Sequence, residues 1–191
     1  MSGIIGIYSP NRVDASQIAY YGLYALQHRG QASTGIAVNN NGFVDYHKGQ
    51  GLVNEVFSKD VIERLIGNIA IGHVRYATSH DSKDKTNVEP LVVGYRKGAL
   101  ALCLDGSIVN AKALRDELED KGVIFQSTLD AEVIANLIAR YHKDRLEEAI
   151  MKALDDIKGS YSIVMMNASS LIAARDPHAI RPMVLGKIKD G

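Results

Sequence analysis

Met1-Ser2-Gly3-Ile4-Ile5-Gly6-Ile7-Tyr8 opens the chain, and how these residues are read decides the fold. Ile4, Ile5 and Ile7, interrupted only by Gly6, make an apolar run of strand length with Tyr8, so residues 3–8 are expected to form a buried strand. Ser2 stands at the mouth of that strand, directly behind the initiator methionine. Removal of Met1, usual before a small residue, leaves an α-amine and a hydroxyl on one residue, a self-contained base and nucleophile. The amine has an unperturbed pKa of about 7.7–8.0, so at neutral pH a fraction is free to accept the hydroxyl proton, directly or through one water. Many chains begin Met-Ser-Gly with no such chemistry, so Ser2 gains this meaning only from other segments of the chain.

Residues 14–27 keep Ile18, Leu23 and Leu26 at roughly helical spacing, and Gly30 is the expected stop, a C-cap in the left-handed conformation. Asn41-Gly42, between the runs 35–39 and 43–48, is a strong two-residue hairpin signal. Strands are expected over 69–74, 91–95 and 99–104, with Asp105-Gly106 reading as a turn that ends the last of them. The polar, lysine-rich stretch 79–89 reads as an exposed loop able to cover a site. Amphipathic helices are expected over 111–121, 130–142 and 146–157, with Asp130 as N-cap of the second. Strands over 160–166, 170–174 and 183–187 close the chain. Hairpins surrounding paired helices argue for an α+β fold.

Composition sets limits on function. A chain of 191 residues, 46% hydrophobic and 23% charged, suits one domain over 1–191 with a real core. Lys plus Arg equals Asp plus Glu at 22 each, so there is no basic footprint for nucleic acid and no polybasic surface for a membrane. The expected ligand is small and neutral or zwitterionic. Cys103 is the single cysteine, which excludes an internal disulfide and any all-cysteine metal site and fits a reducing cytoplasm. No apolar run approaches the ~18 residues of a membrane span, and the start lacks a basic region followed by an apolar core. A cytoplasmic location is expected, with no cofactor and no metal.

Four segments carry chemistry together with Ser2: Gln27-His28-Arg29-Gly30-Gln31, Gly72-His73-Val74-Arg75-Tyr76-Ala77-Thr78, Asp105-Gly106-Ser107 and Asp130-Ala131-Glu132. Arg75, at the end of a buried strand, suits either a structural ion pair or a guanidinium clamp on an α-carboxylate. In this order and spacing the segments resemble the class II, N-terminal-nucleophile glutamine amidotransferases. Leu23-Tyr24-Ala25-Leu26 leading into Gln27, Lys48-Gly49-Gln50-Gly51-Leu52-Val53 and the Gly72 segment narrow the resemblance to the amidophosphoribosyltransferase branch, which opens purine biosynthesis. The likeness runs from Gly3 to about Lys187 and includes Arg175-Asp176-Pro177-His178-Ala179-Ile180-Arg181-Pro182.

The resemblance implies a four-layer αββα sandwich of the N-terminal-nucleophile hydrolase type, with two antiparallel sheets between helical layers. It implies Ser2 as nucleophile with Arg29 and Gly30 near it. Arg75 would hold the α-carboxylate of L-glutamine, with Thr78 close by, and Asp130 the α-ammonium. The Asp105-Gly106 turn would supply the oxyanion hole. The ligands would be L-glutamine or glutamate, and ammonia would pass to a phosphoribosyltransferase domain or partner. That domain's signature, an acidic pair followed by a Thr-Gly loop after a strand, does not occur in these 191 residues. Some members carry an iron–sulfur cluster, which one cysteine could not hold.

The chain departs from its family around the reacting atoms. Active members have cysteine where this chain has Ser2, asparagine where it has Asp105, and histidine and a second asparagine at Leu104 and Ser107. A serine hydroxyl is far less acidic than a thiol of pKa near 8.5, so an amine of pKa near 8 activates it poorly. An ionised Asp105 is acceptor-only and would meet the developing oxyanion with negative charge. Loss of one neutral oxyanion donor costs on the order of 100- to 1000-fold in rate. The expected function is therefore L-glutamine hydrolysis to glutamate and ammonia with impaired activity. The alternative is a catalytically inactive glutamine-binding or regulatory module.

Overall fold

The computed structural model describes residues 2–11, 14–76 and 87–187. Asn41 and Gly42 both sit at positive φ, 50° and 92°, as a type I′ turn requires, and they join β2 (Ser33–Asn40) to β3 (Phe43–Gln50) with Asn40 opposite Phe43. β2 also pairs with β4 (Ile69–Arg75), and β4 with β1 (Gly3–Tyr8), giving an antiparallel sheet in the order β1-β4-β2-β3. A second antiparallel sheet follows chain order: β5 (Leu91–Tyr95), β6 (Gly98–Ile108), β7 (Gly159–Met166) and β8 (Leu171–Arg175).

Helices cover the outer face of each sheet. α1 (Ala15–Ala25), α2 (Val53–Val56) and α3 (Lys59–Arg64) enclose a core with Leu23, Ile36, Phe57 and Val74 against the first sheet. α4 (Ala111–Asp120), α5 (Asp130–Tyr141) and α6 (Leu146–Asp156) enclose a larger core around Leu102, Leu118, Ile134, Ile150 and Ile163 on the second. Between the sheets lies a third cluster with Ala37, Ile69, Ile71, Ala101, Cys103 and Met166. Each fully buried Leu or Ile contributes about 1.5–3 kcal/mol. The fold is α+β and four-layered, αββα.

The strand period of two positions the site. Ile69 and Ile71 of β4, and Ala101 and Cys103 of β6, face the opposite sheet, so His73, Arg75 and Asp105 continue these rows where they leave the apolar core. β1 runs antiparallel to β4 with Gly3 opposite Val74, which brings Ser2 to the same end of the sandwich.

Several local expectations need correction. Gly30 has φ −165°, so it is extended rather than left-handed. It is glycine because a Cβ there would lie 2.5 Å from the Arg75 carbonyl carbon. The helix over 14–27 ends at Ala25, and Gln27–Arg29 continue as a 3-10 turn. Asp105-Gly106 is not a turn: β6 runs through it to Ile108, paired with β7. Gly106 sits at φ +138° with its Cβ position 2.0 Å from the Ser160 carbonyl oxygen, so the ladder itself demands glycine there. Residues 183–187 form no strand, because no neighbouring strand pairs with them, and Val184 and Leu185 stand almost fully exposed. Of the stretch 79–89, the first part lies outside the described residues, and Asn87, Val88 and Glu89 are buried rather than exposed.

Candidate functional site

Ser2, Arg75, Gly106 and Asp130 line one cleft of about 500 Å³, together with His73, Asn87, Asp105 and Thr128. β1 delivers Ser2, β4 delivers His73 and Arg75, β6 delivers Asp105 and Gly106, and the start of α5 delivers Asp130. Arg29 lies beside the cleft and reaches its residues by hydrogen bonds, and Gly30 packs on the backbone of Arg75. Thr78 lies outside the described residues. Among the described residues no three His, Cys, Asp or Glu side chains gather as metal ligands.

At the Ser2 end the dominant contact is electrostatic. The Ser2 nitrogen donates to Asp105 Oδ1 at 2.8 Å, and the Arg29 guanidinium donates to Asp105 Oδ2 at 3.1 Å while its Nε holds the Ser2 carbonyl at 2.9 Å. The Asp105 side chain is only 5% exposed. Arg181 adds a second guanidinium 4.0 Å from Asp105 Oδ1. Its turn is held by the Asp176 carboxylate, which accepts the His178, Ile180 and Arg181 backbone N–H groups. The backbone N–H of Tyr76 points to the Ser2 hydroxyl at 3.4 Å. Asp105 is thus an acceptor fastened between cations and the Ser2 nitrogen, and it offers no donor to an oxygen in front of Ser2.

At the other end Asp130 is the first helical residue of α5, with Leu129 as N-cap. Asp130 therefore does not cap its own helix. Its carboxylate accepts from the Ile108 backbone N–H at 2.8 Å and from the Ser107 hydroxyl at 3.5 Å, which ties the helix start to β6. The preceding turn is fixed by buried Glu132, which accepts the backbone N–H groups of Gln126 and Ser127, each at 2.8 Å. The Arg75 guanidinium donates to the Asn87 carbonyl.

The floor of the cleft holds a buried pair that sequence reasoning missed. His73 Nε2 lies 3.0 Å from Glu89 Oε2, and the same Glu89 oxygen accepts the Leu104 N–H at 3.0 Å. Burial pushes Glu89 up to about 8 and His73 down to about 3, so the uncharged form of each is favoured. Lys48 donates to the carbonyls of Val88 and Pro90 on either side, at 2.8 and 2.9 Å. His73 and Arg181 stand inside the family-like segments, but Asn87 and Glu89 sit in a stretch whose polarity disguises its burial.

Comparison with known proteins places the fold in a family. A glutamine amidotransferase domain family matches residues 73–191. The chain is 43% identical over 190 residues to the amidophosphoribosyltransferase of Staphylococcus aureus strain MRSA252 and 44% identical over 190 residues to that of Methanocaldococcus jannaschii. These alignments cover 99% and 98% of this chain but 38% and 40% of the relatives, so the chain spans about two-fifths of their length. The solved glutamine phosphoribosylpyrophosphate amidotransferase of B. subtilis, complexed with ADP and GMP, superposes with a TM-score of 0.91 at 40% identity, over 100% of this chain and 40% of that one. With a sandwich of the same architecture throughout, the chain belongs to the glutamine amidotransferase domain family, in the form that amidophosphoribosyltransferases carry.

Proposed function

We propose that this chain binds L-glutamine between Arg75 and Asp130 and hydrolyses its side-chain amide slowly through Ser2. One observation carries the reading: a single cleft gathers Ser2, the Arg75 guanidinium and the Asp130 carboxylate from three separate elements. A guanidinium and a carboxylate at one end match the two charges of an amino acid, with Thr78 as a further candidate contact. The Ser2 hydroxyl would attack the amide carbonyl, and its proton would pass to the α-amine left by Met1 removal and then to the departing nitrogen. Ammonia leaves, and water hydrolyses the Ser2 ester to give glutamate.

Asp105 makes this reaction slow for two reasons. Its Oδ1 faces Ser2 as an acceptor, so an oxyanion site built around Gly106 would have one donor missing. The Ser2 nitrogen, the atom that would take up the hydroxyl proton, is also committed to Asp105 Oδ1 at 2.8 Å. The same ion pair with Arg29 favours a second reading, a domain that binds glutamine without turning it over. An ammonia-accepting phosphoribosyltransferase unit, in purine biosynthesis and in the cytoplasm, completes the proposal.

The test is release of glutamate and ammonia from L-glutamine by the purified chain. Slow release that vanishes in Ser2→Ala while glutamine binding persists is the expected result. Binding with no release in the unsubstituted chain would favour the second reading, and equal release by Ser2→Ala would remove Ser2 from the reaction.

A further inference from the structure

A circuit of hydrogen bonds, linked by short stretches of backbone, runs around the cleft. From Ser2 it passes to Asp105 and along β6 to Ile108, whose N–H donates to Asp130. From Asp130 it runs back two residues to Thr128, and from Arg75 it returns through the Tyr76 N–H to the Ser2 hydroxyl. Asn87 closes the remaining gap between Thr128 and Arg75. Its Nδ2 donates to Thr128 Oγ1 at 2.5 Å, its Oδ1 accepts the Thr128 N–H at 3.2 Å, and its carbonyl accepts from Arg75. Asn87 is 3% exposed, and the strap that carries it is pinned against the first sheet. A Cβ on Gly35 would lie 2.3 Å from the Glu89 carbonyl oxygen, and Lys48 holds the carbonyls of Val88 and Pro90.

From this circuit we infer that Asn87 is a positioning residue that joins the carboxylate-binding and ammonium-binding halves of the amino acid site. The inference rests on the glutamine reading above. Arg75 stands on β4 of one sheet, and Asp130 stands on α5 packed against the other. The amide of Asn87 ties the two together by bonding the Thr128 backbone and hydroxyl, while its carbonyl holds the Arg75 guanidinium. Removing the amide frees the turn before Asp130 from Arg75 without touching either charge, so ligand affinity falls while Ser2 chemistry on bound ligand is unchanged.

Calorimetric binding of L-glutamine to the whole chain, with thermal unfolding alongside, tests this. Asn87→Ala and the near-isosteric Thr128→Val should each bind roughly tenfold more weakly, the effect of losing one or two neutral hydrogen bonds. Thr128→Ser, which keeps the hydroxyl, should bind within about twofold of the unsubstituted chain. Where turnover is measurable, KM rises and kcat holds, a split that general loosening of the fold would not produce. Unchanged affinity in Thr128→Val and in a folded Asn87→Ala overturns the inference while leaving the glutamine reading intact. If Asn87→Ala does not fold, Thr128→Val decides. If the unsubstituted chain binds no glutamine, the underlying reading fails and the inference falls with it.

Discussion

Replacing Asp105 by asparagine should raise turnover and lower stability at once. Asp105 Oδ1 receives the Ser2 nitrogen at 2.8 Å and Oδ2 receives Arg29 at 3.1 Å, so the amide exchanges one acceptor for an N–H donor beside the nucleophile. One oxyanion donor contributes about 100- to 1000-fold in kcat, or roughly 3–4 kcal/mol of transition-state stabilisation. On the stability side, removing one partner of a buried ion pair costs about 3–5 kcal/mol. Arg29 is discounted from that figure because its side chain is 21% exposed and it retains the Ser2 carbonyl at 2.9 Å. The result is a cost of about 1–2 kcal/mol, which for a chain of this size lowers Tm by roughly 2–8 °C. Glutamate release under saturating glutamine gives the first number and thermal unfolding the second. Combining Asp105→Asn with Ser2→Cys should raise the rate further. An Asp105→Asn variant that binds glutamine with unchanged or reduced turnover would refute the reasoning.

The geometry sets three further outcomes. Arg75→Lys keeps the charge but loses the planar fork, and should weaken glutamine binding by about 10- to 100-fold in the same titration. Gly106→Ala sets a Cβ 2.0 Å from the Ser160 oxygen at φ +138°, and should cost about 3 kcal/mol or more in denaturant unfolding, if the chain folds at all. The third outcome concerns pH. Glu89, raised from 4.5 to about 8, makes stability fall as pH rises across that interval, because the folded state holds the extra proton. His73, lowered from 6.5 to about 3, makes stability rise with pH between 3 and 6.5. The two oppose each other between pH 4.5 and 6.5, which leaves a net loss of about 2 kcal/mol between pH 6.5 and 8. Thermal unfolding across that window should show it, and Glu89→Gln should flatten it.

The parts of the fold that are legible in the sequence are those set by local rules. The strand after Ser2, the Asn41-Gly42 hairpin and the three amphipathic helices depend on periodicity and turn chemistry, which act within a few residues. Asp105-Gly106 reads as a turn because a strand that tolerates φ +138° does so through its β7 partner, far along the chain. Gly30 looks like a cap because its crowding comes from Arg75, on another element. Asp130 has the composition of an N-cap, yet its oxygens are drawn to β6, a contact invisible to helix rules. The short helices α2 and α3 lack room for a full apolar stripe, so no periodic signal marks them. Asn87 and Glu89 read as exposed because polarity usually means solvent, and here hydrogen bonds and a buried histidine replace the water. For the candidate site, the family-like segments single out Ser2, Arg75, Asp105, Gly106 and Asp130, and the structure gathers them in one cleft. The connections among them lie between elements distant in sequence, where no local rule reaches.

The most direct measurement is a calorimetric titration of L-glutamine into the purified chain, with the mixture assayed afterwards for glutamate. Saturable heat followed by slow, sustained heat and accumulating glutamate is the predicted result. No saturable heat with a folded protein would contradict the claim that Arg75 and Asp130 form an amino acid site.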